Sequence, residues 1–391
     1  MDLYILDDLN RRDIIIDTFI SLIWTERYTA WGDFELHIFS DNKSKSLLKL
    51  GSRLVIDDSE RVMTIETISD DVDAEGRKIL VLKGRSLEAI LEDRYAGPLP
   101  AEMISGTDRW VFAGDVVPSM RTIYWRTCVQ GIPYSRDVLP DVIYETVNQT
   151  GRIPEPDIRI QNDIAPSTVY AEIKKIADAY DVGFRLIRHR QNNTLHFHVY
   201  MGYDRTTFQT VNSPVVFAPN LDNLQNTSHL TTNALFKNVA YVLSPYGAEG
   251  VYGTNVNTAV EGWERRALVV TPDDPPDGLT SEQITNYLVQ KGREALAGHR
   301  IFSAFDGEIQ QNSQYKYGVD YGLGDLVEMR SDDGVVNQML VTEHIWVSDA
   351  EGDRSYPTVT LYEFVQPGSW KAWDQNKEWA TMTTETWATM P

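Results

Sequence analysis

Residues 23–39 read IWTERYTAWGDFELHIF, and their alternation sets the reading of the whole chain. Trp24, Glu26 and Tyr28 share one face of a first strand. Phe34, Leu36 and Ile38 share a face of a second, and Gly32-Asp33 stands near the turn between them. By itself this predicts only a hairpin. The setting adds specificity: the hairpin follows an opening MDLYILDDLNRRD and precedes a second hairpin and a short helix within GRSLEAILEDRYA, Gly84 to Ala96.

This opening quarter resembles the minor tail proteins of siphophages that infect actinobacteria. The resemblance implies a tail-tip hub, related in fold to the baseplate hubs of contractile phages. It also implies the partners: a homotrimer, the distal tail ring, the tape-measure protein, other minor tail proteins, and double-stranded DNA in transient passage. It places the protein in the virion, at the distal end of the tail, and implies no cofactor.

A faint internal copy supports a duplicated β fold. Leu50-Gly51 leads into Leu54-Val55-Ile56, a turn at Asp57 to Glu60, a strand from Met63, the tip Asp73-Ala74-Glu75-Gly76 and a closing strand around Leu80. The order recurs as Leu323-Gly324, Leu326-Val327, Asp332-Asp333-Gly334, a strand from Met339, the tip Asp349-Ala350-Glu351-Gly352, and a strand from Thr358 to Phe364. Short strands with Gly and Asp turns suit small antiparallel barrels. The fold class expected is therefore α+β and mainly β, with two small antiparallel β-barrels and two smaller α+β inserts. Two related barrels per chain would let a trimer imitate the sixfold symmetry that the resemblance implies.

The expected divisions are residues 1–96 for the first barrel, 97–205 for an α+β domain, 206–245 with 300–366 for the second barrel, 246–299 for an insert, and 367–391 for a C-terminal extension. Seven prolines between Pro98 and Pro156 break up the start of the α+β domain. A helix then begins at Pro166, with Val169, Ile173, Ile176, Ala177 and Tyr180 at helical spacing and Gly183 as its C-terminal cap. A hairpin turns around Asn192-Asn193. In the insert, Thr280 and Gln283 have capping-box spacing before Ile284, Leu288 and Leu296, and the helix stops near Gly298.

Composition narrows the function. The chain has 391 residues, a net charge of -21 and one cysteine. Nucleic-acid binding draws affinity from Lys and Arg that release phosphate counterions, so this balance argues against a protein that grips DNA. In a tail channel, acidic repulsion would let a genome slide past; simple solubility is the other reading. Cys128 has no disulfide partner in the chain and reads as a small buried side chain. No apolar run approaches a membrane span, and no basic leader opens the chain, so a soluble protein made in the host cytoplasm is expected.

Motifs for chemistry are sparse. No Gly-x-Ser-x-Gly turn, phosphate loop, His-Glu-x-x-His or paired-Cys motif occurs, and no enzyme activity is expected. A glycosidase needs only two carboxylates at the right separation, and 57 acidic residues offer many such pairs. Asp71 to Gly76 imitates the start of a calcium loop, but the twelfth position is Leu82 rather than Glu, which favours an acidic hairpin tip. His196 and His198 share a strand face with no third ligand evident in sequence, which favours a polar face over a metal site.

The tail from Gly368 carries Trp370, Trp373, Trp379 and Trp387, and WATM recurs at Trp379 to Met382 and at Trp387 to Met390. Indoles with Met382 and Met390 suit a contact surface, either on the chain's own barrel or on a neighbouring tip protein. A trimeric tail-tip hub is the reading best supported. A carbohydrate-binding host-surface protein is second, and a cell-wall hydrolase third.

Overall fold

A computed structural model of the chain describes residues 1–73, 76–144, 158–223, 225–252, 260–275, 279–299, 302–308, 314–330 and 336–365. The N-terminal part is β1 (Leu3–Leu6), β2 (Arg12–Ile16), β3 (Ser21–Arg27), β4 (Asp33–Phe39), α1 (Asn42–Leu47), β5 (Arg53–Ile56), β6 (Met63–Val72) and β7 (Lys78–Ser86). The hairpin expected at 23–39 is β3 and β4, paired antiparallel with Trp24 opposite Phe34. Their alternation is that of strands with one buried face: Leu22, Trp24, Phe34, Leu36 and Ile38 lie in the core, while Ile23 faces out. The short helix of residues 84–96 is corrected to a 3-10 helix at Leu87–Asp93, because Gly84 to Ser86 remain hydrogen-bonded in β7.

The middle of the chain forms β8 (Tyr95–Ala96), α2 (Pro100–Ile104), β9 (Trp110–Asp115), α3 (Val116–Tyr124), β10 (Val142–Tyr144), β11 (Arg159–Ile164), β12 (Ser167–Thr168), α4 (Val169–Tyr180), β13 (Gly183–Arg188) and β14 (Leu195–Tyr200). Helix α4 is the one read from periodicity, with both ends corrected. Residues Ser167 and Thr168 pair as a strand with β8, so the helix starts after Thr168, whose side chain accepts the Ala171 N–H. Asp181, at φ 53°, closes it in the left-handed conformation, which frees Gly183 to open β13. Its buried face, Val169, Ile173, Ile176, Ala177 and Tyr180, joins one core with Val116, Met120, Ile123, Phe184 and Phe197. Cys128 is buried there, and burial pushes its thiol up to about 12, as a small core side chain requires.

The rest comprises β15 (Val216–Phe217), β16 (Gln225–Thr232), β17 (Val239–Ser244), β18 (Gly247–Tyr252), β19 (Ala267–Val270), α5 (Ser281–Ala297), β20 (Phe302–Glu308), β21 (Leu326–Arg330), β22 (Val336–Asp349) and β23 (Gly352–Val365). The Thr280–Gln283 capping box forms as read: the Thr280 hydroxyl accepts the Gln283 N–H and the Gln283 side chain accepts the Thr280 N–H. Helix α5 buries Tyr287, Leu288 and Leu296 against Ala240, Val242 and Val251 of the β17–β18–β19 sheet.

The two ends of the chain meet in one thirteen-stranded sheet, ordered β16-β20-β23-β22-β3-β4-β7-β6-β5-β1-β2, with β21 on β22 and β15 on β21. The join is β22 on β3, from Glu343 opposite Arg27 to Ser348 opposite Leu22. Among the described residues the strand path is open at both ends, so the expected pair of closed barrels is not seen as such.

The internal copy has a structural counterpart. Gly51 (φ 82°) and Gly324 (φ 83°) each precede a strand in a conformation that favours glycine. The Gly51 N–H donates to the Ile65 carbonyl at 2.8 Å and the Ile65 N–H to the Ser52 carbonyl at 3.0 Å. The Gly324 N–H donates to the Val341 carbonyl at 2.8 Å and the Val341 N–H to the Asp325 carbonyl at 3.0 Å. One residue further on, the register shifts in both, at Ile65/Thr67 of β6 and at Val341/Glu343 of β22. At the far tips, Asp73 is paired with Arg77 and Asp349 with Arg354.

Candidate functional site at the seam of the sheet

Strand β3 and the residue that follows it carry three inward side chains into three environments. Trp24 lies in the N-terminal core, Tyr28 lies in the C-terminal core, and Glu26 is buried between them where β3 meets β22. A carboxylate held away from water needs donors. Ser59 and Tyr317 supply two, the latter at 3.1 Å, and the Arg61 guanidinium stands 3.9 Å away. Burial pushes the Glu26 carboxyl above the usual carboxylate range, against the opposing pull of Arg61 and of these hydrogen bonds.

Arg61 is buried with it. Its Nη1 donates to Glu88 Oε1 at 2.6 Å and its Nη2 to the Arg27 carbonyl at 2.6 Å. The same Glu88 oxygen accepts the Leu186 N–H at 2.8 Å. Burial opposes the Arg61 charge, but Glu88 heads the groups that more than offset it, and the guanidinium stays charged. Backbone bonds follow the same line: Arg61 bridges Ile187, and the Arg188 N–H donates to the Glu60 carbonyl at 2.8 Å. The Arg61–Glu88 pair thus fastens the N-terminal strands to the β13–β14 hairpin.

On the other side stands His344, opposite Glu26 in register and fully buried. Its ring stacks on Tyr317 at 3.8 Å and meets Trp346 edge-on at 4.3 Å, and neither ring nitrogen has a hydrogen-bond partner. Burial pushes its pKa down to about 3, so the ring is neutral.

A cleft of about 550 Å³ opens beside this cluster, its walls including Glu26, Arg61, Arg185, Tyr203, Tyr321 and Asp325. Arg185 lies over the Tyr200 ring at 4.5 Å and Arg205 near the Tyr203 ring at 5.3 Å. Asp325 accepts from the Tyr203 N–H at 2.7 Å, the Gly322 N–H at 2.9 Å and Arg205 Nε at 2.7 Å. Burial raises its pKa against those bonds. Glu26 and Asp325 are each held by several protein donors. Their chemistry is that of a polar weld between elements, with Tyr and Arg presented toward the cleft.

The residues singled out in sequence fall elsewhere. Trp370, Trp373, Trp379, Met382, Trp387 and Met390 lie outside the described residues. Of the stretch Asp71 to Gly76, Asp71 and Val72 end β6, and Asp73 accepts the Arg77 N–H at 2.8 Å and pairs with its guanidinium at 2.7 Å; residues 74–75 lie outside the described residues. His196 and His198 share a face of β14 as expected, but the third imidazole that sequence did not reveal is present: His189 stacks on His196 at 3.7 Å. It was hidden because the hairpin turn, not a fixed spacing, brings it back.

Arg61, Glu88 and His344 were also missed. One signal was legible: alternation places Glu26 between Trp24 and Tyr28 on a buried face, and a carboxylate there demands a cation.

With fold and seam defined, comparison gives the class: a phage tail protein fold. Residues 2–359 match the family described as Siphovirus ReqiPepy6 Gp37-like protein, and the chain belongs to that siphovirus family. Two solved structures share the fold. The 43 kDa tail protein of prophage MuSo2 from Shewanella oneidensis has a TM-score of 0.57 at 14% identity, over 92% of this chain and 98% of that one. The tail protein from Neisseria meningitidis MC58 has a TM-score of 0.54 at 13% identity, over 92% and 96%. No curated protein matches the sequence.

Proposed function

We propose that this protein is a structural hub at the distal end of a siphovirus tail, a homotrimer that closes the tube, links it to the tip proteins and lets DNA pass. The observation that carries this reading is the repeated Gly-strand-bulge unit, present once in each half and joined into one sheet through β22 and β3. Three chains with two such units each would present six similar positions, which a sixfold tube needs and a threefold tip can still use. The two units are the proposed counterparts of the hub barrels, residues 1–96 and 206–245 with 300–366. Between them lie the α+β domain of 97–205 and an insert carrying α5, assigned to 246–299. The proposed partners are the distal tail ring, the tape-measure protein and other tip proteins, with the Trp-rich extension 367–391 as a docking segment. The role is mechanical rather than enzymatic, consistent with carboxylates committed to the seam.

The deciding experiment is imaging of the assembled tail with this chain located in the density. Three copies around the axis at the distal end are expected. One or six copies, or a position along the tube, would overturn the hub. A second reading, recognition of a host glycan, is favoured by the Tyr and Arg walls of the seam cleft. It predicts saturable binding of host cell-wall polysaccharide by the isolated chain, lost on Tyr203→Ala.

A further inference from the structure

Three of the chain's seven histidines converge on one face of the β13–β14 hairpin. His196 pairs with Ile187 and His198 with Arg185, and just beyond β13 the His189 N–H donates to the Thr194 carbonyl at 2.9 Å. The Asn193 N–H returns to the His189 carbonyl at 2.9 Å, with Asn193 in the left-handed conformation at φ 60°. The turn therefore folds His189 over the strand that carries the other two. One nitrogen from each ring lies within 4.8 Å of the others, and among the described residues no other three His, Cys or carboxylate groups meet that spacing. His196 is buried, while His189 and His198 are half-buried, which leaves a route for an ion.

We propose that His189, His196 and His198 form a binding site for a divalent cation of the zinc class, held by three imidazoles with a water in the fourth position. Neutral imidazole suits Zn²⁺, Co²⁺, Ni²⁺ and Cu²⁺ and is a poor ligand for calcium or magnesium. The hydrogen bonds around His196 fix which nitrogen is offered. The Thr194 hydroxyl donates its proton to Asn192 Oδ1 at 2.6 Å, so toward His196 Nε2, also at 2.6 Å, it can only accept. Nε2 then carries the hydrogen and Nδ1 the lone pair, with Thr194 orienting the ligand from behind.

Binding must reorganise the trio. The His189 and His196 rings are 8° from parallel, and two stacked rings cannot both aim in-plane lone pairs at one ion. His189, on the turn, is the ring that swings. The metal would lock the turn to β14 and stiffen the wall of the seam cleft, where Arg190 donates to the Ser59 carbonyl at 3.2 Å. The site is independent of the hub assignment, because it concerns the single chain.

The test uses the tag-free full chain, stripped with a chelator and then titrated with Zn²⁺ by calorimetry and with Co²⁺ by visible absorption. One ion per chain is expected, with the intense Co²⁺ band of a four-coordinate site. His189→Asn with His196→Asn should lower zinc affinity by about 100-fold or more, and Thr194→Val by about 10-fold, the range for an orienting partner. His37→Asn should change nothing. The Co²⁺ spectrum of the unmodified chain needs no variant, so a misfolded mutant does not obscure the result. No uptake by natively folded chain, or unchanged stoichiometric uptake in the double variant, would overturn the site.

Discussion

Tyr28 is held between two backbones that leave no room for a side chain. A Cβ on Gly183 would lie 2.2 Å from the Tyr28 ring and one on Gly324 2.3 Å from it, the latter also at φ 83°. The Tyr28 hydroxyl donates to the Asp181 carbonyl at 2.9 Å, so a side chain of the first hairpin is fitted into both later parts of the chain. Gly324→Ala is expected to destabilise by about 1–3 kcal/mol or more, through clash and backbone strain together. Tyr28→Phe should cost about 1 kcal/mol, the value of one hydrogen bond. Denaturant midpoints measure both, and an unchanged midpoint for Gly324→Ala would show that the slot is not tight.

His344 makes a separate prediction. Its folded pKa, about 3, lies below that of an unfolded imidazole. The unfolded state therefore binds the extra proton first: stability from this site is intact above about pH 6.5 and is lost at about 1.4 kcal/mol per pH unit as pH falls toward the folded value. His344→Phe should flatten the acid side of the melting-temperature profile, and an unchanged slope would place the acid sensitivity elsewhere. The burial of Tyr28 and Glu26 was legible from alternation. Their partners were not, because Arg61, Gly183 and Gly324 reach them only through tertiary folding.

Among the elements, those whose signals are local were read well. The Thr280–Gln283 box and the Asn192–Asn193 turn depend on residues three or four apart, and both formed as expected. Thr280→Ala should lower stability of the α5 unit by about 1 kcal/mol, seen as faster amide exchange in its first turn. Pro166 and Gly183 misled because α4 sits between strands: pairing of Ser167 and Thr168 with β8 outcompeted an earlier helix start, and Asp181 supplied the left-handed cap. The duplicated hairpin showed in sequence only as repeated Gly and Asp turns. Its bulges, at Glu66 and Thr342, have no sequence mark of their own, since a bulge is a property of the pairing. The described strand β23 runs to Val365, so deletion after Gln366 should leave the melting temperature unchanged while preventing a neighbouring tip protein from joining assembled tails. A large drop in melting temperature would instead mean that the Trp-rich segment packs on its own chain.

For the molecule as a whole, charge bears most directly on how it would work around DNA. A net charge of -21 is spread over a chain in which many cations are already neutralised locally: Arg61 by Glu88, Arg205 by Asp325, Arg354 by Asp349. A phosphate backbone approaching such a surface meets 57 acidic residues against 36 Lys and Arg, and counterion release by such cations supplies nearly all sequence-independent affinity. The purified chain is therefore expected to show no retention of double-stranded DNA at low salt, where any such attraction is strongest. If acidic groups line a channel in the assembled tip, replacing several lumen-facing ones with Lys should slow genome ejection without changing assembly, and added salt should restore the rate. The salt dependence decides between the two sources of the charge. Slowing that salt relieves belongs to phosphate attraction in a channel, whereas an unchanged ejection rate at low salt would leave the acidic surface with solubility as its role.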